Sequence, residues 1–189
     1  MFNLMQAGVA VAVSAGNSGP TASTIRSPAN APWVLASANI SHDRRILNQL
    51  VALSGGTPPF AVADGAGLTG SYGPARLVLG ESQGSALCSR GEDSDFPPSG
   101  VSNPWSGRVF NGEIVICDRG VQARVAKSNN VRLAGGGGMV LVNAASDGES
   151  VVSDDHSLPS THLGFAAGTA LKNWVRNTPN ASGRLAGAQ

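Results

Sequence analysis

Residues 112–143 admit one economical fold: a strand, a helix and a second strand in close succession. Glu113-Ile-Val-Ile-Cys-Asp118 is a short apolar run bounded by glycines and reads as the first strand. Arg119 and Gly120 break it. Val121, Val125, Val131 and Leu133, spaced through Gln122, Arg124, Lys127 and Asn129, then trace the apolar side of an amphipathic helix. Four glycines, Gly135 to Gly138, stop that helix, and Met139-Val-Leu-Val-Asn143 follows as a second buried strand. Strands joined through a helix lie parallel, with a right-handed crossover.

The rest of the chain is built for short elements. Its 25 glycines and 11 prolines favour strands and turns over a helical bundle, and 189 residues suffice for one good domain plus a remnant, or two small ones. Charged residues make up 13% and the net charge is +1, so electrostatics offer no case for a nucleic-acid or anionic-membrane partner. No apolar run approaches the roughly 20 residues that cross a bilayer. The start, Met1-Phe-Asn-Leu, lacks the basic residues of a signal peptide.

Phe2, Leu4 and Met5 read as the tail of a helix ended by Gly8, and residues 9–13 as a fully apolar strand feeding a polar, turn-rich loop at 14–20. A strand leading into a rigid polar loop is where α/β enzymes place chemistry. Further strands are predicted at 33–38, 50–53 (an exposed or edge strand), 76–79 and 158–163, and a helix at 168–177 with Leu171, Trp174 and Val175 facing inward. Residues 55–73 and 82–108 read as irregular. Cys88 and Cys117 are the whole supply of cysteine. They are either buried thiols or a bridge closing a loop of about 28 residues, which would imply an oxidising compartment.

Two stretches carry a family resemblance. Val11-Ala-Val-Ser-Ala-Gly-Asn-Ser-Gly-Pro20, with Ser27-Pro-Ala-Asn-Ala-Pro-Trp-Val34 after it, closely resembles the oxyanion-hole segment of subtilisin-like serine proteases. The resemblance implies that the Asn17 amide would donate to the oxygen that becomes negative in the tetrahedral intermediate, and that Ser14, Ala15 and Gly16 would wall one side of the primary specificity pocket. A donor aimed at developing charge lowers the barrier because it binds the transition state more tightly than the ground state.

Gly112-Glu-Ile-Val-Ile-Cys-Asp-Arg-Gly120, Ala134-Gly-Gly-Gly-Gly-Met-Val-Leu-Val-Asn143 and Leu158-Pro-Ser-Thr-His162 together resemble the protease-associated (PA) domain that subtilases carry as an insertion. That resemblance implies an α+β fold, a β-rich sandwich or barrel with flanking helices and one βαβ unit, preceded by a partial α/β subtilase segment. Residues 1–50 would be the catalytic-domain part and 51–185 the inserted region, with its core at about 75–180. Cys88 and Cys117 sit where the family places a disulfide. PA domains have no catalytic residues and are implicated in substrate access, protein contacts and sometimes dimerisation.

The catalytic contexts of a subtilase, an aspartate after a first strand, His-Gly-Thr and Gly-Thr-Ser-Met, do not occur here, and His42, His156 and His162 lack the glycine pattern. The expectation is a piece of a secreted subtilisin-like endopeptidase, inactive alone, with the remaining catalytic domain and a peptide or protein substrate as partners, a homodimer through the PA domain as a possible state, and no cofactor. With that remainder missing, residues 9–13 would lack strand neighbours on both sides. The alternative from another class is a free-standing PA protein-binding module of the sorting-receptor kind, which gives no reason for residues 14–20.

Other constellations compete. Gly80-Glu-Ser-Gln-Gly84 matches an esterase nucleophile elbow at Ser82, but Ser85-Ala-Leu-Cys88 is a poor helix start and no oxyanion loop precedes it. The glycine run 135–138 follows a helix rather than a strand, the reverse of a phosphate cradle, and fits close backbone approach. Asp154, Asp155 and His156 with His162 read as a solvated loop rather than metal ligands. Asn39-Ile-Ser41 and Asn180-Ala-Ser182 match the N-glycosylation acceptor.

Overall fold

The computed structural model describes residues 1–19, 21–38, 45–89, 104–120 and 122–189. It divides into two compact units, Met1–Arg44 and Arg45–Gln189.

The second unit is an α+β fold around a nearly closed mixed sheet of six strands. Its strands are β3 (Asn48–Ser54), β4 (Tyr72–Leu79), β5 (Ile114–Asp118), β6 (Gly138–Val142), β7 (Ser160–Leu163) and β8 (Ser182–Ala188), in the spatial order β3-β8-β4-β5-β6-β7. Strands β4 to β7 run parallel; β8 is antiparallel to both its neighbours. Helices α2 (Arg124–Leu133) and α3 (Phe165–Arg176) flank the sheet.

Alternation along β5 and β6 explains why two helices are needed. Ile114, Ile116, Val140 and Val142 share one core with Leu50, Leu77, Leu163, Leu185 and, from α3, Leu171 and Trp174. Val115, Cys117, Met139 and Leu141 face the other way, into a second core with Val131 and Ala134 of the α2 segment, Phe110 and Leu158. Successive side chains of a strand point to opposite faces, so a run that is apolar throughout must be covered on both.

The glycine run works by close approach, as the sequence suggests. A Cβ on Gly137 would lie 2.0 Å from the Tyr72 hydroxyl, which itself donates to the Gly112 carbonyl at 2.8 Å. Inside α3, a Cβ on Gly168 would lie 2.1 Å from Val142 Cγ1, so the helix reaches β6 only with glycine there. That helix begins at Phe165, three residues before the predicted start.

Asn48 nearly closes the barrel. It is fully buried; its Nδ2 donates to the Ser160 carbonyl at 3.0 Å, its Oδ1 accepts the Gly187 N–H at 2.9 Å, and its carbonyl accepts the Thr161 hydroxyl. One side chain thereby joins β3, β7 and β8. The β3–β8 register pairs Asn48 with Ala188, and the flanking Leu47 and Gln189 exchange backbone hydrogen bonds.

Three strand readings change. β3 is longer than residues 50–53 and, although at the sheet margin, buries Leu50 completely. β4 starts at Tyr72 rather than Arg76, taking in residues read as irregular. β8 was not anticipated at all: its inward positions are Gly183, Leu185 and Gly187, and two glycines out of three leave no hydrophobic period to detect.

The first unit holds α1 (Phe2–Gln6), β1 (Ala12–Ser14) and β2 (Leu35–Ser37), with β1 and β2 paired in parallel. β1 is thus shorter than the apolar run 9–13 and has a neighbour, correcting the expectation of a strand unpaired on both sides. Its apolar residues are uncovered: Leu35 is 71% exposed and Phe2, Leu4, Val9 and Ile25 are exposed as well, while Ala29 alone is a buried apolar residue among the described residues of this unit. No helix among the described residues is long and apolar enough to cross a membrane.

Candidate functional site

Ser14, Ala15, Gly16 and Asn17 follow one another off the C-terminal end of β1. The Ala15 N–H still donates to the Ser37 carbonyl of β2 at 2.9 Å, extending the pairing one step beyond the strand. The chain then turns: Gly16 has φ +90° and its N–H donates to the Ser14 hydroxyl at 3.1 Å. Asn17 falls in the bend that follows and is exposed. Ala15, Gly16 and Gly19 border a hollow of about 500 Å³ whose other wall is Thr21 to Ile25 and Ala38. A parallel strand pair ending in an exposed amide beside a hollow can present a donor to a bound carbonyl.

In the second unit Cys88 and Cys117 are joined in a disulfide and fully buried, with Cα atoms 5.5 Å apart. Helix α2 pins the Cys88 side of it: Lys127 Nζ donates to the Leu87 carbonyl at 2.7 Å and Asn130 Nδ2 to the Cys88 carbonyl at 3.0 Å. Lys127 is completely buried, and burial pushes its ammonium down to about 8 despite the opposing charge of Asp118.

A cleft of about 420 Å³ opens where β5 ends and α2 begins, between Arg119, Gln122, Arg124 and Asp154. Both arginines are fixed. Arg124 forms a fork on Asp154, with its Nη2 3.0 Å from Oδ1; burial would raise the Asp154 carboxyl, but the bond and charge of Arg124 outweigh it and hold the group below its ordinary value. Arg119 lies 3.4 Å from Asp147 and donates to Asn143 Oδ1 at 3.1 Å. That same oxygen lies 2.7 Å from His162 Nε2, and His162 Nδ1 accepts the Val152 N–H at 3.1 Å. Asn143 Oδ1 can only accept, so Nε2 carries the proton of that contact, and Nδ1 lies 3.2 Å from the Val152 carbonyl oxygen as well, the partner it would have if the ring were protonated.

Burial pushes His162 down to about 4. A folded pKa below the unfolded value of 6.5 means that stability is complete above pH 6.5 and declines as pH falls toward 4. The expected loss is up to about 3 kcal/mol. Urea unfolding of wild type and His162→Gln across pH 4–7 measures it, and a wild-type slope no steeper than that of the variant overturns the assignment.

The rival constellations resolve by geometry. Ser82 sits in the 3-10 turn Gly80–Gln83, and its hydroxyl donates back to the Leu79 carbonyl at 2.7 Å, as a turn serine does. Asp154 is committed to Arg124 and His162 to Asn143, and no group of three candidate ligands able to hold a metal ion occurs among the described residues. His42 and Asn39 lie outside the described residues. The sequence reading passed over Lys127 and Asn130. Their signal is positional: 127, 130, 131 and 134 form the inward stripe of α2.

The family model described as the PA domain matches residues 74–171, more than half of the chain. The chain accordingly belongs to the PA-domain family. Its domain is of the kind that subtilisin-like proteases carry: the chain is 32% identical over 188 residues to subtilisin-like protease SBT1.4 and 35% identical over 180 residues to subtilisin-like protease SBT1.7, both of Arabidopsis thaliana. These alignments take in 97% and 95% of this chain but 22% of each relative, so the chain spans little more than a fifth of their length. The matched region leaves out β3 and β8, which the structure places in the same sheet.

Proposed function

We propose that this chain is the oxyanion-loop and PA-domain portion of a secreted subtilisin-like serine endopeptidase. The observation that carries the reading is the reach of the similarity: it continues from the PA domain through the first unit, where Ser14 to Asn17 leave a paired strand and turn beside a hollow. In this reading Asn17 is the side-chain donor of the oxyanion hole, Ser14, Ala15 and Gly16 line the specificity pocket, and the catalytic segment and the inserted region part near residues 44–45 rather than at 50–51, because β3 of the second unit already starts at Asn48. The PA domain serves substrate access or protein contact, and the disulfide fits an oxidising, extracellular setting. A free-standing binding module gives no reason for residues 14–20.

The test is fluorophosphonate labelling of the purified chain beside a casein-hydrolysis assay, repeated on a longer version that restores the missing aspartate, histidine and serine. Silence from the short chain and labelling of the long one supports the reading. Stoichiometric labelling of the short chain at Ser82 overturns it in favour of an esterase.

The uncovered apolar residues of the first unit fit a surface that the rest of a catalytic domain covers. Amide exchange across residues 1–38 of the chain alone should therefore be faster than in β5 and β6. Uniformly slow exchange there in a demonstrated monomer contradicts this.

A further inference from the structure

Between α3 and β8 the chain makes a tight turn in which Asn180 has φ +63° and is exposed. No hydrogen bond engages its carboxamide among the described residues. Ser182, two positions on, opens β8 with its hydroxyl 2.8 Å from that of Ser54. The turn accounts for an asparagine and the cross-strand contact for a serine, yet neither role demands the other at this spacing. Ala181 between them is fully buried and is not proline, which leaves Asn-Ala-Ser intact as an acceptor sequence.

Space is available for what such an acceptor takes. Asn180 stands on the rim of an open groove of about 660 Å³ that has an aliphatic part, Val78, Val175 and Pro179, and a polar part, Arg76, Glu81 and Arg176. A sugar leaving Asn180 Nδ2 finds there both apolar surface for a ring face and polar partners for its hydroxyls. We propose that Asn180 is an N-glycosylation site carrying an oligosaccharide through an N-acetylglucosamine. The amide nitrogen attacks the anomeric carbon of a lipid-pyrophosphate-linked oligosaccharide; the new C–N bond replaces the C–O bond to pyrophosphate, the lipid pyrophosphate leaves, and the amide gives up one proton. The proposal rests on the secretory reading above, because donor and transferase belong to that compartment.

The test is to express the full chain behind an added leader in a glycosylating eukaryotic cell, so that the route is imposed rather than assumed. The recovered chain is compared before and after amide-cleaving glycosidase by gel mobility and peptide mass mapping. The expected result is a mobility shift lost on digestion, with residue 180 converted to aspartate. Asn180→Gln should abolish modification of that peptide, and Ser182→Thr, which keeps both the acceptor and a hydroxyl facing Ser54, should retain it. An unmodified residue 180 in a chain that is secreted with Cys88 and Cys117 bridged overturns the proposal and leaves the protease reading standing. That reading fails separately, by probe labelling of the chain alone.

Discussion

On the proposed reading, Asn17→Ala, made in a longer version that carries a subtilase's aspartate, histidine and serine, should lower kcat by about 10²–10³ while leaving KM nearly unchanged. The magnitude is that of removing one oxyanion-hole donor in subtilisin itself, about 2.7–4 kcal/mol, and is borrowed from that case. The direction follows from the role proposed for Asn17. Asn17 lies in an exposed bend one residue past Gly16, beside the hollow lined by Ala15 and Gly19, where a substrate carbonyl could come within reach of its amide. A donor that meets charge only as it develops contributes to the transition state and little to the ground state, so kcat and kcat/KM fall together. Steady-state kinetics on a chromogenic peptide decide the matter. A raised KM at constant kcat would make Asn17 a ground-state contact, and unchanged kinetics would remove it from the site.

Breaking the Cys88–Cys117 disulfide should lower the stability of the second unit by about 3–4 kcal/mol. The two cysteines are 29 residues apart, and freeing a loop of that length returns chain entropy to the unfolded state. For a unit of this size the loss corresponds to a fall in Tm of roughly 10 °C. Because Cys117 lies inside β5 and Cys88 under α2, a Cys88→Ala, Cys117→Ala pair also tests what α2 does there. Lys127 and Asn130 hold the Leu87 and Cys88 carbonyls without help from sulfur, so the loop should keep its place in the folded state. Calorimetry of the double variant beside the wild type with and without reductant checks the magnitude. An unchanged Tm would mean that the unfolded chain is already restrained across this interval.

How far the fold could be read in advance depended on how each element satisfies its packing. Strands β5 and β6 are apolar at every position but the terminal Asp118 because both faces are covered, and glycines bound them, so they were legible directly. Strand β8 was not, since its inward side chains are mostly absent and its partners lie more than 100 residues away in sequence. The start of α3 was displaced because Gly168, unfavourable inside a helix, is required there by Val142. At the candidate site, Ser14 to Asn17 were legible only through family resemblance, an asparagine in a turn being ordinary by itself. Arg119 and Asn143 were invisible for a different reason. Each is a polar residue whose partner is fixed by tertiary contact, and nothing in local pattern distinguishes them from residues facing water.

The pairing of Asn48 with Ala188 bears on how such a unit can be carried by another protein. The chain enters and leaves the sheet at one place, on two adjacent antiparallel strands whose ends are tied by the Leu47–Gln189 hydrogen bonds. A host loop could accept roughly 140 residues here while its own two ends stay about one strand spacing apart, close to 5 Å. Its own fold would then feel little more than a short hairpin, and the closure entropy of the long excursion is met inside the guest by β3, β8 and Asn48.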